Sequence, residues 1–189
     1  MARPPIKKIT GVNIDLVPFS KFFISYDYLK WMKDKDVTRF IIKTDNNISL
    51  DDIHFFAEKM IYSNLDYFFA IIHKESKKHI GNIRLGPIDF NLMKSKFGIL
   101  IGDKSFHGCG VATEVLELIK HFSFNYLKLE QIRFGVVKEN KAAMRLYAKT
   151  HFTCLGETKE TFNKYGKSWK IIAWSINKID YIKQNEKKV

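Results

Sequence analysis

One glycine-containing stretch, residues 98–115, has the residue types of a site for a phosphorylated ligand. An apolar, β-branched run leads into a short polar loop with Gly108 and Gly110, and an apolar-periodic segment follows. This pattern predicts a strand, a loop and a helix in that order. A tight loop that enters a helix directs several backbone N–H groups at one point, and the helix N-terminus adds partial positive charge there. The stretch therefore predicts a pyrophosphate site.

Two common phosphate loops do not fit these letters. The Walker loop needs a lysine and then Ser or Thr directly after its last glycine, and no lysine follows Gly108 or Gly110 in that way. The dinucleotide fingerprint needs a third glycine at the position that Thr113 occupies. A short Gly-x-Gly loop remains. Taken alone, such a loop is as typical of a strand–turn–helix junction that binds no ligand as it is of a phosphate site.

A second motif follows in the other half of the chain. Residues 131–137 (QIRFGVV) predict a strand, and residues 138–152 (KENKAAMRLYAKTHF) predict a helix that Asn140 caps. Together, GDKSFHGCGVATE and V-x-x-N-x-x-A-x-x-L-Y-x-x-x-x-F resemble the GNAT superfamily of acetyl-CoA-dependent N-acetyltransferases. The branch that it resembles contains ribosomal-protein N-terminal, polyamine and amino-sugar acetyltransferases. Residues 28–40 and 79–89 also match that branch, so the resemblance covers about residues 8–177.

The resemblance implies the co-substrate and its site. Acetyl-CoA would be the acetyl donor, with no metal. Its acetyl and pantetheine groups would bond to the backbone of the strand before the loop, and its pyrophosphate to N–H groups of the loop. The matching positions are Leu100, Ile101, Gly102, His107, Gly108, Cys109, Gly110, Val111, Ala112 and Thr113.

Two residues of the second motif also match functional positions of the family. Asn140 matches an asparagine that contacts the pantetheine arm. Tyr147 matches a tyrosine that lies near the sulfur and acts as general acid. The alternative interpretation of Tyr147 is a core aromatic on an amphipathic helix.

The chain departs from the family pattern at several positions. Ser105 stands where Gln or Arg is common, and His107 and Cys109 stand where a lysine or arginine often lies. Because backbone N–H groups do most of the phosphate binding, these changes predict weaker cofactor affinity rather than its loss. His151 replaces the glycine that usually ends the second helix, and histidine is among the residues enriched in left-handed backbone conformations.

The acceptor would be a small-molecule amine, and residues early in the chain are candidates to line its pocket. The resemblance implies that two early helices and the strand pairs shape this pocket, which nominates Trp31 and Phe40. Arg39 and Arg84 could hold a phosphate or carboxylate, because a guanidinium matches such groups. Surface positions are the alternative for both arginines. Asp89 is a candidate acceptor-binding residue in the same region.

The general base is left open by the residues. Asp89 and Asp103 are the candidates near the expected site, and Glu139 is a weaker third. Each could instead be a solvated loop carboxylate. Glu114 lies in the first turn of the loop helix, where a carboxylate interacts favourably with the helix dipole. The sequence places no His–Asp pair beside Cys109, so a covalent acyl-enzyme is not predicted.

Our first hypothesis for the acceptor is the primary amine of a nucleotide-linked amino sugar, attacked by direct transfer in a ternary complex. A protein N-terminus is the second hypothesis. A polyamine would need an acidic pocket, which the net charge of +12 disfavours. A third hypothesis, of another class, is a non-catalytic domain that binds CoA or a protein partner.

Charge and cysteine content narrow the function classes. A charge of +12 is compatible with nucleic acid, an anionic surface or an anionic substrate. The lysines are spread along the chain and no nucleic-acid-binding signature is present, which favours CoA and nucleotide sugars as the anionic partners. Cys109 and Cys154 are too few for a disulfide scaffold and indicate a reducing, cytoplasmic compartment. Neither cysteine has the zinc-ligand spacing to a histidine.

The elements that must position these residues form one mixed α/β domain. Its predicted order is β-α-α-α-β-β-β-α-β-α-β-β, and the resemblance implies a mostly antiparallel, seven-stranded sheet flanked by helices. The domain would span residues 1–178, followed by a basic tail at 179–189, and no apolar run is long enough for a membrane span. A homodimer is implied by the family only. The predicted strands are 7–17, 66–74, 79–89, 94–102, 131–137, 154–161 and 168–176, and the predicted helices are 26–33, 37–41, 50–62, 113–127 and 138–152.

Overall fold

The computed structural model describes residues 4–41, 47–164 and 166–186. Within these residues the strands are β1 (Ile9–Thr10), β2 (Ile14–Pro18), β3 (Tyr67–His73), β4 (His79–Leu85), β5 (Lys94–Ser95), β6 (Phe97–Ile101), β7 (Gln131–Val137), β8 (Thr153–Lys164) and β9 (Lys167–Asn177). The helices are α1 (Tyr26–Lys33), α2 (Lys35–Thr38), α3 (Leu50–Ile61), α4 (Val111–His121), α5 (Lys141–Lys149) and α6 (Lys178–Glu186). The mixed α/β class is confirmed.

The strands form two sheets rather than one continuous sheet. The first has the order β1-β2-β3-β4-β6 and is antiparallel throughout, and the second has the order β5-β7-β9-β8. The prediction of a single strand over 94–102 was wrong, because β5 pairs in parallel with β7 while β6 pairs with β4. Lys96 lies at the crossing point, and β6 forms the edge of the first sheet.

The first predicted strand, 7–17, is a short hairpin instead. Ile9 pairs with Leu16, and the Gly11 N–H donates to the Ile14 carbonyl across the turn. Glu114 on α4 holds this turn, because its carboxylate accepts from the Asn13 N–H at 2.9 Å, the Asn13 side-chain amide at 3.0 Å and the Ile14 N–H at 3.3 Å. Glu114 therefore ties the hairpin to the helix, which its place in the first turn did not predict.

Both faces of the first sheet are covered. Alternate residues of β3 point to opposite faces, so Tyr67 and Phe69 pack on the side of α4, and Phe68 and Ala70 pack on the side of α1 and α3. A separate core lies against the second sheet and includes Tyr147 of α5. Helices cover both faces of the first sheet, and β6 is one of its edge strands.

Helix boundaries follow side-chain caps where these are present. α3 begins with a capping box, in which Ser49 and Asp52 bond to each other's backbone N–H groups. α2 begins earlier than its predicted range of 37–41, because the Asp34 carboxylate caps it. α4 ends at His121 and continues as a π-helical turn to residue 126, which together cover most of the predicted 113–127.

The C-terminal part of the chain is more ordered than a basic tail. α5 occupies Lys141–Lys149, within the predicted 138–152, and ends before His151, which has φ 61°. The last strands are longer than predicted, and residue 165 of their turn lies outside the described residues. α6 forms within the predicted tail because Tyr181 is buried against Phe124, with ring centroids 5.1 Å apart. In the described ranges, no helix has the length and apolar character needed to cross a bilayer.

Replacing Glu114 by alanine should lower the free energy of unfolding by about 1–3 kcal/mol, because three hydrogen bonds to the β1–β2 turn are lost. Glu114→Gln keeps the oxygen that accepts from the two backbone N–H groups and should cost less than about 1 kcal/mol. Urea denaturation measures both variants. An unchanged denaturation midpoint for the alanine variant would contradict the tie.

Candidate functional site

The loop before α4 presents a run of unpaired backbone N–H groups. Gly108 and Gly110 have φ of 78° and 82°, and Gly110 begins the helix without a side-chain cap. The Glu114 N–H is the first to donate within the helix, to the Gly110 carbonyl. The N–H groups of residues 108–113 make no hydrogen bond with any described residue. A convergent set of free donors at a helix N-terminus matches the requirement of a pyrophosphate.

The two glycines are required by backbone conformation and not by crowding. A Cβ at Gly108 or Gly110 would meet no atom within 4 Å. A side chain would fit in space, but L-residues rarely adopt these positive φ angles. The open surroundings mean that the outer side of the loop is accessible to a ligand.

Side chains of the loop hold the loop itself. The Asp103 carboxylate accepts from the Ser105 N–H at 3.0 Å and from its hydroxyl at 2.7 Å, and the hydroxyl bond lowers the pKa of that carboxyl. Lys104 bridges Asp34 at 2.7 Å and Asp36 at 3.1 Å at the α1–α2 junction. Ser105 therefore has a structural partner where the family pattern has a longer side chain. Asp103 is held in its ionised form, which makes it a weak base.

His107 joins the loop to the end of β6. Its Nε2 donates to the Ile101 carbonyl at 2.8 Å, while its side chain is exposed. Cys109 lies next, with its thiol 3.6 Å from the carbonyl oxygens of Ser105 and His107. These contacts fix the first half of the loop, and the free N–H groups follow directly.

Along one edge, the backbone of β6 pairs with no described strand, and its Ile101 carbonyl accepts from His107 Nε2 there. The Gly86 N–H donates to the Lys96 carbonyl, and the Gly102 N–H donates to the Ile80 carbonyl. The backbone N–H and C=O groups of the even-numbered β6 residues therefore point toward β4. Antiparallel pairing alternates, so Phe97, Ile99 and Ile101 direct their N–H and C=O groups away from β4. The Phe97 and Phe134 ring centroids lie 4.3 Å apart, so side chains of β6 and β7 are in contact. The backbones of these two strands are not hydrogen-bonded to each other in either described sheet.

This alternation changes which predicted strand residues can hold a ligand by their backbone. Of Leu100, Ile101 and Gly102, only Ile101 has its N–H and C=O on the open edge. Leu100 faces β4, and the Gly102 N–H is bonded to Ile80. Ile99, which is not among the predicted positions, has the same orientation as Ile101. The sequence alone does not contain the register of β6 against β4.

Asn140 lies at the start of α5, and Tyr147 lies on the buried face of the same helix. The Tyr147 ring packs 4.6 Å from Phe134 and 6.0 Å from Trp174, and burial raises the pKa of its phenol. Tyr147 is thus a core residue whose hydroxyl stays protonated at neutral pH, as a general acid must. Asn140 caps α5 by accepting from the Ala143 N–H at 3.1 Å, which leaves its side-chain NH₂ group without a partner in the described chain.

Two early residues meet the last hairpin, while a third lines the core. The Arg39 guanidinium lies 5.1 Å from the centre of the Phe40 ring, and Phe40 contacts Trp169 of β9 at 6.3 Å. Lys164 of β8 donates to the Thr38 carbonyl at 2.9 Å and joins the same segments. Trp31, in contrast, is buried against Gly102, where a Cβ would overlap its indole. Trp31 is therefore a wall of the core and not an open pocket surface.

Arg84 and Asp89 have defined partners. The Nε and Nη2 atoms of Arg84 lie 2.7 Å and 2.6 Å from one carboxylate oxygen of Asp66. Asp89 accepts from the N–H groups of Asn91 and Leu92 at 2.9 Å each. Asp89 is thereby engaged in a turn, which favours a structural role over acceptor binding or general-base catalysis.

An aromatic cluster around His79 was not anticipated from the sequence. His79 Nε2 lies 2.9 Å from Asn82 Oδ1, and burial lowers the pKa of the imidazole. His79 begins β4 and lies near the Asp103 end of β6, away from Ile99. The rings around it belong to Phe19, Phe23, Tyr28 and Trp31. The cluster supports the α1 side of the sheet.

Metal-binding side chains do not gather in the described part of the chain. No group of three His, Cys, Asp or Glu side chains there could hold an ion. Cys109 and Cys154 are both free and exposed.

Comparison with known proteins gives one family match. A family model described as an acetyltransferase (GNAT) domain matches residues 23–153. The probable N-acetyltransferase YjcK of Bacillus subtilis is 31% identical over 46% of this chain, and the chain spans 48% of that relative's length. The acetyltransferase PseH of Campylobacter jejuni is 28% identical over 70% of this chain and 79% of its own.

A solved structure shares the fold. The spermidine N-acetyltransferase of Vibrio cholerae, in complex with CoA and spermine, superposes with a TM-score of 0.81 at 21% identity. The superposition covers 90% of this chain and 98% of that chain.

Gly110→Ala should raise the dissociation constant of CoA about tenfold, equivalent to ~1.4 kcal/mol, because the left-handed conformation that aims the loop N–H groups becomes strained. Calorimetric titration with CoA measures the effect. Gly156→Ala is the matched control, because Gly156 also has positive φ and open space around its Cα. Both variants should lose about 1–2 kcal/mol of stability, and only the first should lose CoA affinity. Equal CoA affinities would contradict the assignment of the loop.

Proposed function

The chain belongs to the GNAT acetyltransferase family, an acetyl-CoA-dependent N-acetyltransferase family, and from this premise we propose that its acceptor is the primary amine of a nucleotide-linked amino sugar. The use of acetyl-CoA as the acetyl donor is supported by the run of free N–H groups at residues 108–113, which lies beside the unpaired edge of β6. The acceptor half rests on the charges around α1–α3.

The chain's own groups fit acetyl-CoA as co-substrate. The N–H groups of residues 108–113 would hold the pyrophosphate. The outward N–H and C=O of Ile99 and the outward N–H of Ile101, whose carbonyl already accepts from His107, would hold the pantetheine arm and the acetyl carbonyl. The free NH₂ group of Asn140 is a further donor for the pantetheine arm. When bound, acetyl-CoA supplies a thioester whose carbonyl carbon can accept an amine.

Two of the chemical demands of amide formation, a donor to the oxyanion and a proton for the sulfur, then have a candidate group. The developing oxyanion needs a donor that is already in place, and an outward N–H of β6 is such a donor. Tyr147 would give its proton to the departing sulfur as the C–S bond breaks, because a phenol is protonated at neutral pH. The amine attacks the thioester carbon as the C–N bond forms, and the proton that it loses would pass to solvent water.

Direct transfer from donor to acceptor is favoured over a covalent acyl-enzyme. The Cys109 thiol lies beside the backbone carbonyl oxygens of Ser105 and His107, and neither oxygen can act as a base for it. A nucleophilic cysteine needs a base or a cation that lowers its pKa. The amine would therefore attack the thioester in a ternary complex.

The charges around α1–α3 support an anionic acceptor over a polyamine. A polycation requires unpaired carboxylates, and several carboxylates of this region are already paired with cations of the chain. The pairs are Asp27–Lys30, Asp34–Lys104, Asp36–Lys104, Glu58–Lys21 and Asp66–Arg84. The net charge of +12 would also attract a nucleotide sugar and repel spermine.

Tyr147→Phe should lower kcat about 100-fold while the dissociation constant of acetyl-CoA stays unchanged, because only the proton donor is lost. Steady-state kinetics and calorimetry give the two quantities. Tyr181→Phe is the matched control, since Tyr181 is also a buried tyrosine of the second sheet's core and lies on α6. Full activity of Tyr147→Phe would show that its hydroxyl is not the acid.

Acetyl transfer to three amines tests the acceptor class: a UDP-linked amino hexose, a peptide with a free N-terminus, and spermidine. We expect the highest kcat/KM for the UDP-linked amino hexose, because the chain has a net charge of +12 and several carboxylates of α1–α3 are paired with its own cations. A higher kcat/KM for spermidine or the peptide would contradict this class. Acetyl-CoA binding without turnover of any amine would instead indicate a non-catalytic CoA-binding domain.

A further inference from the structure

The face of β6 that looks toward α1 and α3 is open at one position. A Cβ at Gly98 would meet no atom within 4 Å, although Gly98 lies within a paired strand. At Gly102, four residues further along the same face, a Cβ would overlap the buried Trp31 indole. Trp31 therefore covers this face of β6 at Gly102, and no atom of the described chain covers the same face at Gly98. The uncovered position lies next to Ile99, whose N–H points out of the sheet edge.

Arg84 borders this open space. Phe68 of β3 pairs with Arg84 of β4, and Arg84 pairs with Gly98 of β6, so the three lie in one row across the sheet. Residues directly opposite each other share a face, with Cβ atoms about 4.5–5.5 Å apart. Phe68 packs into the core on the α1 and α3 side, which fixes the face that Arg84 and Gly98 share.

The Arg84 guanidinium is held by a buried carboxylate. One oxygen of Asp66 receives Nε and Nη2 of Arg84, and the other oxygen accepts from the Ser63 hydroxyl at 2.5 Å. The Asp66 side chain is 7% exposed and that of Arg84 is 33% exposed, so the accessible end of the pair is the cation. The N–H donors on Nη1 of Arg84 have no acceptor within the described chain. A fixed guanidinium with free donors suits a phosphate.

We propose that Arg84 binds a phosphate of the acceptor over Gly98, with Asp66 as the residue that positions the guanidinium. The proposal rests on the proposed function, because the acceptor's amine must reach the β6 edge beside Gly98. It adds a restriction on the acceptor's shape. The phosphate and the amine would lie about one to two strand spacings apart, roughly 5–10 Å.

This separation selects the chemical class of acceptor. An amine and a phosphate on opposite sides of a sugar ring meet it, whereas the amine and carboxylate of an α-amino acid are attached to one carbon. The phosphate could belong to a sugar monophosphate or to the diphosphate of a nucleotide sugar. Comparison of these two substrates distinguishes the sources.

The test compares kcat/KM for an amino hexose, its 1-phosphate and its UDP conjugate. The wild-type protein should favour the phosphorylated forms over the neutral sugar by about tenfold or more, and the better of the two identifies the source of the phosphate. The double variant Arg84→Gln/Asp66→Asn removes the phosphate site without leaving an unpaired buried charge, and it should reduce that preference to about twofold. Arg133→Gln is the control, since it removes one exposed positive charge on β7 and should leave the preference unchanged.

A second variant tests the open space independently of charge. Gly98→Val places a strand-compatible side chain where there is free volume, so the protein should fold and still bind acetyl-CoA. The KM for the phosphorylated amino hexose should rise about tenfold or more, because the side chain occupies the proposed position of the acceptor. Unchanged KM values in Gly98→Val, or an unchanged preference in the double variant, would overturn the inference.

Failure of the inference can be told apart from failure of the proposed function. Turnover of amino sugars by the wild type with an unaltered preference in the double variant removes Arg84 and leaves the function in place. Calorimetry with the UDP conjugate in the presence of CoA tests the opposite case, in which the phosphate site is present but the protein does not acetylate amino sugars. Binding without turnover, weakened about tenfold in the double variant, would retain the phosphate site and overturn the function.

Discussion

The unpaired edge of β6 is the constraint on which the rest of the site depends. The chain crosses from the second sheet to the first at Lys96, so β6 bonds to β4 on one side and to no other strand of the described residues on the other. Backbone N–H and C=O groups in such a position require partners. A ligand with amide and carbonyl groups of its own, such as the pantetheine arm of acetyl-CoA, can supply them. We propose that the gap between the sheets is a binding site built from backbone.

The surrounding contacts keep this edge and the following loop in one arrangement. His107 bonds the loop to Ile101, and Lys104 ties it to the carboxylates at the α1–α2 junction. Glu114 holds α4 against the first hairpin, so the helix N-terminus stays at the end of β6. Donors that are fixed before the ligand arrives cost little reorganisation on binding. The same side chains hold the loop in place although Ser105 and Cys109 are shorter than the residues common at these positions in the family.

Local patterns predicted the parts of the site that are set by nearby residues. The glycine-containing loop before α4, the cap at Asn140 and the left-handed His151 follow from residue type and position. Contacts between distant segments could not be predicted in this way. The register of β6 depends on its pairing with β4, and Arg84 depends on Asp66, which lies eighteen residues away. Periodicity alone could not divide residues 94–102 between two sheets, because the division depends on pairing with β7 and with β4, which the local pattern does not contain.

Backbone amide hydrogen exchange with and without acetyl-CoA tests the central claim most directly. Acetyl-CoA should slow exchange at Ile99, Ile101 and residues 108–113, whose N–H groups are free of partners from strands or helices. Exchange at Gly102 should change little, because its N–H is already bonded to Ile80. Unchanged exchange at Ile99, Ile101 and residues 108–113 under saturating acetyl-CoA would contradict a donor site built from these backbone groups.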